Sequence, residues 1–138
     1  MSETTNGDGT PAGLRANALT LSLTARDLAA AVAWYRDVLG LAVVQEYERE
    51  GTLRAVALAA GDVRLLLNQD DGGRGWDRVK GEGFSFQFVT DQDVDELASQ
   101  IRERGGSLEA EPADMPWGVR MMRLKDLDGY RFAISRPL

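Results

Sequence analysis

The most informative segment of this sequence is residues 27–41, DLAAAVAWYRDVLGL. It opens with Asp27, whose carboxylate can accept hydrogen bonds from the free amides of a first helical turn. Gly40 lies near its end, and glycine ends helices readily because it enters the left-handed region without a Cβ clash. Between them, apolar side chains recur at the spacing of one face of an amphipathic helix, at Leu28, Ala31, Val32, Tyr35 and Leu39. The segment therefore predicts one capped helix with a single apolar face.

The same plan returns about half a chain later, between Asp91 and Gly106. Asp91 or Asp93 caps this second segment, and two arginines near its end suit the negative pole of a helix. Its apolar stripe consists of Val94, Leu97, Ala98 and Ile101. Two halves with one plan predict two like modules that pair around a shared cleft.

Short strand-like segments surround both helices. Residues 18–25 alternate apolar and polar side chains, with Leu21 and Leu23 on one face and Thr20, Ser22 and Thr24 on the other. Further strands are predicted at 42–48, 53–59, 63–68, 84–89, 107–110, 119–124 and 130–135. Each half thus reads β-α-β-β-β. The sequence predicts an α+β fold in which two βαβββ modules form a curved mixed sheet around a cleft, with the helices outside.

The predicted organisation is a single domain, as expected for 138 residues. Residues 1–17 are polar and Gly-rich and are predicted to form a flexible N-terminal tail. The first module spans 18–69 and the second spans 83–138. Residues 70–82 are rich in glycine and charge, which predicts a linker loop.

Composition excludes several kinds of chemistry. The chain contains no cysteine, so disulfides, thiolate nucleophiles and zinc–sulfur sites are excluded. It also contains no histidine, the commonest metal ligand and the commonest general base near neutral pH. The net charge of −6 disfavours nucleic acid and anionic membranes as partners and weakly favours a cationic ligand. Without a signal-peptide core or an apolar run near the ~20 residues of a membrane span, a cytoplasmic protein is expected.

Two separated motifs resemble one family. Residues 34–41, WYRDVLGL, resemble part of the first module of the vicinal oxygen chelate superfamily, which includes glyoxalase I, bleomycin and fosfomycin resistance proteins and extradiol dioxygenases. Residues 126–130, DLDGY, resemble the family's Asp-Pro-Asp-Gly-Tyr turn, with Leu127 in place of proline. The resemblance covers about residues 18–136. It implies the paired-module fold and a homodimer.

The resemblance also implies where metal-dependent members place their ligands, two in each module. The corresponding positions here hold Thr20, Arg64 (or Leu65 if the register shifts by one), Phe84 and Ala133. These side chains are not a donor set for a divalent metal, and a guanidinium repels a cation. No metal and no cofactor are therefore expected at the family's site.

Ligand contacts are predicted at Thr20, Ser22, Arg64, Trp76, Phe84 and Trp117. The hydroxyl groups either hydrogen-bond a ligand or lie on a solvated face. Phe84 either lines an apolar pocket or joins the core. Trp76, in a Gly-rich loop, either closes over a planar ligand or packs under the loop or at a dimer contact, and Trp117 has the same alternatives. An anionic ligand would pair with one or two of the arginines in predicted strands, which are Arg54, Arg64, Arg120 and Arg123.

The favoured hypothesis is a metal-independent binding protein of the glyoxalase/bleomycin resistance type, without catalytic residues. Its ligand would be an antibiotic-like, aromatic or cationic small molecule held in a cleft. One alternative is a lyase or dioxygenase with an atypical carboxylate metal site, built from residues such as Glu46, Glu48 or Asp62. Another is an interaction module without a small ligand. The ligand's identity and any domain swapping in the dimer do not follow from the sequence.

Overall fold

The computed structural model describes residues 5–10, 13–76 and 78–138. The predicted flexible tail at 1–17 therefore lies partly outside the described residues, as does Asp77 of the predicted linker at 70–82. Among the described residues, no helix is long and apolar enough to span a membrane.

Both halves fold as β-α-β-β-β units. The first contains β1 (Thr20–Ala25), α1 (Leu28–Ala33) continued by a π turn (Trp34–Val38), β2 (Ala42–Arg49), β3 (Thr52–Ala60) and β4 (Val63–Gln69). The second contains β5 (Ser85–Val89), α2 (Val94–Glu103), β6 (Ala110–Met115), β7 (Val119–Lys125) and β8 (Arg131–Pro137). The strands form two four-stranded sheets, ordered β1-β4-β3-β2 and β5-β8-β7-β6. In each sheet the first and last strands of the unit run parallel and the other pairs run antiparallel. The predicted α+β class and the two βαβββ modules are confirmed.

The first helix begins and ends as its sequence predicts. Asp27 is the N-cap, and its Oδ1 accepts a hydrogen bond of 3.1 Å from the Ala30 amide. Gly40 ends the helix with a φ of +84°. The π turn was not predicted. Such a turn holds more residues than an α-helical turn, and here the neighbouring residues Val38 and Leu39 both contact the core.

The second helix is capped by Asp93, one of the two aspartates that the sequence allowed. Its Oδ1 accepts hydrogen bonds from the amides of Asp95 at 2.9 Å and Glu96 at 3.2 Å. The predicted stripe is buried at Val94, Ala98 and Ile101, and Leu97 is partly buried.

The two modules share their hydrophobic core. One cluster lies between α1 and the first sheet and the other between α2 and the second sheet. Each cluster takes one buried side chain from the other module: Tyr130 joins the first and Val38 joins the second. Trp34, Leu39 and Phe86 pack against both clusters. The modules are therefore joined by packing as well as by the chain.

The turn at residues 126–130 ties the second module to β1. Asp128 Oδ1 accepts a hydrogen bond of 2.8 Å from the Arg26 amide, and the Tyr130 hydroxyl accepts one of 3.2 Å from the Thr24 amide. Gly129 has a φ of +92°, a conformation that glycine adopts without strain. The family-like DLDGY motif thus serves to hold the modules together.

The segment after β4 contains a buried ion pair. Lys80 Nζ lies 2.8 Å from Asp70 Oδ2, and the two side chains are only 3% and 8% exposed. Asp70 Oδ1 also accepts a hydrogen bond of 2.9 Å from the Gly72 amide. Lys80 and this amide hold the pKa of Asp70 below its ordinary value. The pair therefore joins the beginning and the end of the segment between the modules.

Close packing between the modules makes Gly106 a sensitive position. A Cβ built there would lie 2.6 Å from Val38 Cγ1 and 2.6 Å from Ile101 Cγ2. We expect Gly106→Ala to lower the free energy of unfolding by ~1–3 kcal/mol, because the core must shift to admit the methyl group. Urea denaturation measures the change. Gly13→Ala is the control, since no atom lies within 4 Å of that position; an equally small change for both variants would contradict this packing.

Candidate ligand-binding site

The second sheet has an open face, opposite to the face on which α2 packs. Strand alternation divides its residues between the two faces. Phe132 and Ile134 of β8 belong to the core cluster beneath the sheet, as do Met122 and Leu124 of β7. The intervening residues therefore lie on the open face: Ser85, Gln87 and Val89 of β5, Arg131 and Ala133 of β8, and Met121, Arg123 and Lys125 of β7.

A cavity of about 700 Å³ lies on this open face and is called the second-sheet cavity below. Pockets for small organic ligands usually measure ~300–1,000 Å³. Phe86, Leu124 and Phe132 reach it from the core. The other lining residues are Ser85, Gln87, Val89, Glu109, Trp117, Met121, Arg123, Arg131 and Ala133. An apolar base with several polar groups above it is the usual composition of a small-molecule site.

One row of paired residues crosses the cavity. Gln87 of β5 pairs with Ala133 of β8, which pairs with Arg123 of β7, which pairs with Ala110 of β6. Small alanine side chains thus flank Arg123 on both neighbouring strands. The methyl groups leave room above the sheet beside the guanidinium.

The charged groups around the cavity are unequally paired. Glu109 Oε2 lies 3.5 Å from Arg131 Nε, and Glu109 Oε1 lies 3.7 Å from Lys125 Nζ. Arg123 makes no ion pair or side-chain hydrogen bond with any residue that the structure describes. One carboxylate therefore serves two cations, and a third cation has no protein partner in the described chain.

The neighbouring Arg120 is engaged elsewhere. Its guanidinium makes hydrogen bonds of 2.6 and 2.9 Å to Asp95 and one of 2.9 Å to Asp114. These bonds, first those to Asp95, raise the pKa of Arg120. Of the strand arginines singled out from the sequence, Arg120 thus supports the junction of α2 and β6, whereas Arg123 faces the cavity.

A second cavity of about 820 Å³ adjoins the first and shares Ser85 and Arg131 with it. Phe84 lies in its wall, 42% exposed, with its ring centre 6.4 Å from that of Tyr130 and 6.0 Å from that of Phe86. Its charged lining residues are Arg26, Arg78, Lys80, Glu82, Lys125, Asp128 and Arg131.

The residues predicted to contact ligand occupy different parts of the molecule. Trp117 lines the second-sheet cavity and Phe84 lines the adjoining one. Thr20 and Arg64 are paired on the first sheet, and Ser22 follows Thr20 on the same strand face. Neither cavity of the second sheet includes these three residues.

Trp76 packs on its own loop. Its indole lies over Gly72, where a Cβ would come within 2.5 Å of the ring, and 49% of the side chain is exposed. The Trp76 carbonyl accepts a hydrogen bond from Arg26. The ring is therefore on the surface of the loop that precedes Asp77.

The two parallel ladders open with similar residue pairs. Thr20 pairs with Arg64 at the first position of the parallel β1–β4 ladder, and Ser85 pairs with Arg131 at the first position of the β5–β8 ladder. Phe84, seven residues before Asp91, lies directly before β5, and the helix cap is Asp93. Each parallel ladder thus opens with a hydroxyl residue opposite an arginine.

Several cavity residues were not singled out from the sequence, including Gln87, Glu109, Met121 and Arg131. Strand alternation could have placed Met121 beside Arg123, since both fall on one face of a predicted strand. Glu109 falls within the strand predicted at 107–110, but β6 begins only at Ala110, so that predicted strand was placed too early and Glu109 lies just before β6.

Carboxylates do not gather into a metal site in the described part of the chain. Nowhere in residues 5–10, 13–76 and 78–138 do three or more His, Cys, Asp or Glu side chains come together to hold a metal ion. Glu46, Glu48 and Asp62, the carboxylates considered for an atypical centre, therefore belong to no such group.

Comparison with known proteins identifies a family model and several solved structures that match this chain. The family model described as "Glyoxalase/Bleomycin resistance protein/Dioxygenase superfamily" matches residues 17–134. No curated protein matches the sequence. Among solved structures, TioX from Micromonospora sp. ML1 aligns with a TM-score of 0.70 and 23% identity, covering 89% of this chain and 100% of TioX.

Two further structures have the same fold. TnmS3, an antibiotic binding protein from Streptomyces sp. CB03234, aligns with a TM-score of 0.69 and 21% identity over 92% of this chain and 100% of its own. Lactoylglutathione lyase from Agrobacterium tumefaciens aligns with a TM-score of 0.66 and 25% identity over 89% of this chain and 95% of its own. The fold therefore occurs both in a binding protein and in an enzyme.

Proposed function

We propose that this chain, which belongs to the Glyoxalase/Bleomycin resistance protein/Dioxygenase superfamily, is a metal-independent binding protein for a small molecule. The second-sheet cavity of about 700 Å³ is the observation that carries the proposal. Its apolar base provides contact area, and its polar groups provide orientation. Binding of this kind requires shape and charge complementarity without a reactive group.

The residues at the family's metal positions support binding without a metal. Thr20 and Arg64 in the first module, and Phe84 and Ala133 in the second, supply one hydroxyl group, one guanidinium group and two apolar side chains. A guanidinium carries a permanent positive charge and has no acceptor atom for a cation. This donor set does not fit a divalent metal.

The antibiotic-binding relative supports the same class of function. TnmS3 shares the fold and is described as an antibiotic binding protein. We propose an antibiotic-like or aromatic ligand for this chain too, with Trp117 packing against it. Trp117 is 62% exposed on the turn between β6 and β7 and lines the cavity, so a planar ligand would bury a ring that water now contacts.

The remaining predicted contacts and the homodimer are part of the proposal. Thr20, Ser22 and Arg64 lie on the open face of the first sheet, where a second ligand surface would be formed. The edge strand β2 exposes Val43, Val44 and Tyr47. An exposed apolar edge strand favours pairing with another chain, and a homodimer would cover it.

A thermal-shift screen against antibiotics and aromatic metabolites tests the function. A ligand at one hundred times its Kd stabilises the folded state by ~2.7 kcal/mol, which raises the Tm of a domain of this size by several degrees. We expect at least one compound to produce this shift, and we expect EDTA to leave the shift unchanged.

Matched variants locate the binding surface. Ala133→Phe fills the centre of the second-sheet cavity, whereas Ala57→Phe places the same bulk on the open face of the first sheet. The shift produced by a ligand of the second-sheet cavity should disappear in A133F and persist in A57F, whereas a ligand of the first-sheet surface would show the reverse pattern. No shift with any compound, or a shift abolished by EDTA, would argue against a metal-independent binding protein.

A further inference from the structure

We infer that the second-sheet cavity selects anionic ligands, namely aromatic molecules that carry a carboxylate or a similar oxyanion, with Arg123 as the primary contact. The inference rests on the proposed binding function and specifies the ligand class of the same site. It reverses the weak preference for a cationic ligand that follows from the overall charge of −6. The local charges at the cavity, rather than the total, determine which ligand is attracted.

The pairing pattern of the arginines carries the inference. Arg120 donates from all three of its guanidinium nitrogens to Asp95 and Asp114. Arg123 follows three positions later on the same strand and makes no side-chain hydrogen bond or ion pair with a described residue. A guanidinium presents five donors and forms paired, charge-assisted hydrogen bonds with planar oxyanions. The donors of Arg123 therefore have no acceptor in the described chain and can bind an oxyanion of a ligand.

The sheet register adds a second cation beside the first. Arg131 pairs with Lys125, which places Arg123 at the diagonal position from Arg131 on the same face. Diagonal neighbours across an antiparallel pair lie ~7–8 Å apart, and their Cβ atoms somewhat closer, within reach of long side chains. Glu109 holds Arg131 and Lys125 through contacts of 3.5 and 3.7 Å. One oxyanion between Arg123 and Arg131 would be contacted from two directions.

The alanine row leaves room for the rest of such a ligand. Ala133 lies between Arg123 and Gln87, so no large side chain covers the centre of the sheet. Met121 lies two residues before Arg123, on the same strand face, and Trp117 lies on the adjacent turn. An aromatic ring would contact Ala133, Met121 and Trp117, while the amide of Gln87 is available for a polar substituent.

Isothermal titration calorimetry with three naphthalene probes tests the charge preference. The probes are 2-naphthoate, 2-naphthylmethylammonium and neutral 2-naphthamide, which share one ring system and differ in charge. We expect naphthoate to bind at least ~10-fold more tightly than the ammonium probe. We also expect its affinity to fall as salt is raised, because the cations of the cavity are partly exposed.

Two arginine variants separate a specific contact from a general loss of charge. Arg123→Gln should weaken naphthoate binding by about 10- to 100-fold, the range expected for lost hydrogen bonds to a charged group, and should leave naphthamide binding nearly unchanged. Arg136→Gln removes the same charge from β8, two strand positions beyond Ile134 and outside the cavity. This control should bind naphthoate like the wild type.

The outcomes distinguish this inference from the proposed function. If the ammonium probe binds as well as naphthoate, or R123Q keeps full affinity for naphthoate while A133F loses it, the anion preference is overturned and the cavity still binds ligand. If none of the three probes binds and the antibiotic screen is also negative, both proposals fail.

Discussion

Asp126→Ala is expected to lower the free energy of unfolding by at least ~3 kcal/mol, because one buried carboxylate accepts three hydrogen bonds that alanine cannot replace. Asp126 Oδ2 accepts a bond of 2.7 Å from the Tyr35 hydroxyl. Its Oδ1 accepts bonds of 2.9 and 3.0 Å from the amides of Asp128 and Tyr130. The variant leaves these donors without an acceptor at the junction of the two modules.

Asp126→Asn is the matched comparison, since the amide keeps the size of the carboxylate and one acceptor oxygen. Burial raises the pKa of Asp126, opposed by the hydrogen bonds from Tyr35 and the backbone. The ionised form therefore carries a desolvation cost that D126N removes. We expect D126N to be within ~1 kcal/mol of the wild type near neutral pH in urea denaturation. A loss in D126N as large as that in D126A would show that charge matters more than geometry.

The stability difference between the wild type and D126N should depend on pH with a defined sign. The pKa of Asp126 is higher in the folded chain than the ~3.9 of an unfolded aspartate. The folded state therefore binds more protons between these two values, and this group makes folding more favourable as the pH falls through that window. D126N lacks the effect. The stability of the wild type relative to D126N should rise as the pH is lowered, and a fall would contradict the raised pKa.

Phe132→Ala is expected to cost ~3–5 kcal/mol, the range for removing a large buried ring. Phe132 is 3% exposed and stacks on Phe86 with ring centres 5.0 Å apart and planes at 8°. It also contacts the rings of Trp34, Tyr35 and Phe88. The side chain therefore belongs to the joint core of both modules and supports the base of the second-sheet cavity.

The measurement combines stability with binding. Urea denaturation should show the full loss for F132A and less than about half of it for Phe132→Leu, which keeps most of the volume. Phe84→Ala is the control, since that ring is 42% exposed, and should cost less than ~1.5 kcal/mol. Equal losses for F84A and F132A would contradict the assignment of Phe132 to the joint core. F132L should also lower the affinity for any ligand found in the screen, because the base of the cavity is altered.

Local sequence signals explain why so much of the architecture was predictable. Asp27 and Asp93 cap helices through amides two or three residues away, and Gly40 ends its helix through its own backbone angle. Strand alternation correctly assigned Leu23 to the core side of β1. Leu19, given the same alternation, is 85% exposed because it precedes the strand. Element boundaries were therefore less certain than element types.

The roles of two arginines could not be predicted from local sequence patterns. Arg120 and Arg123 both fall in one predicted strand, and nothing near them in the sequence separates their roles. Asp95, which engages Arg120, lies 25 residues away on α2, and its position depends on how the helix packs. That packing leaves the Arg123 guanidinium at the cavity without a hydrogen-bond acceptor among the described residues.

Caps, turns and alternation depend on residues within a few positions, so the sequence alone predicted the two helices, the order of the strands and the duplication that begins with residues 27–41. It did not predict the π turn or the bounds of β6. The acceptor of the Tyr35 hydroxyl is Asp126, 91 residues away, and the row of Gln87, Ala133 and Arg123 joins three strands. Such contacts arise only when the sheets pair in one register and the helices close on them. The placement of charge around the cavity, and with it the ligand class, follows from that tertiary packing.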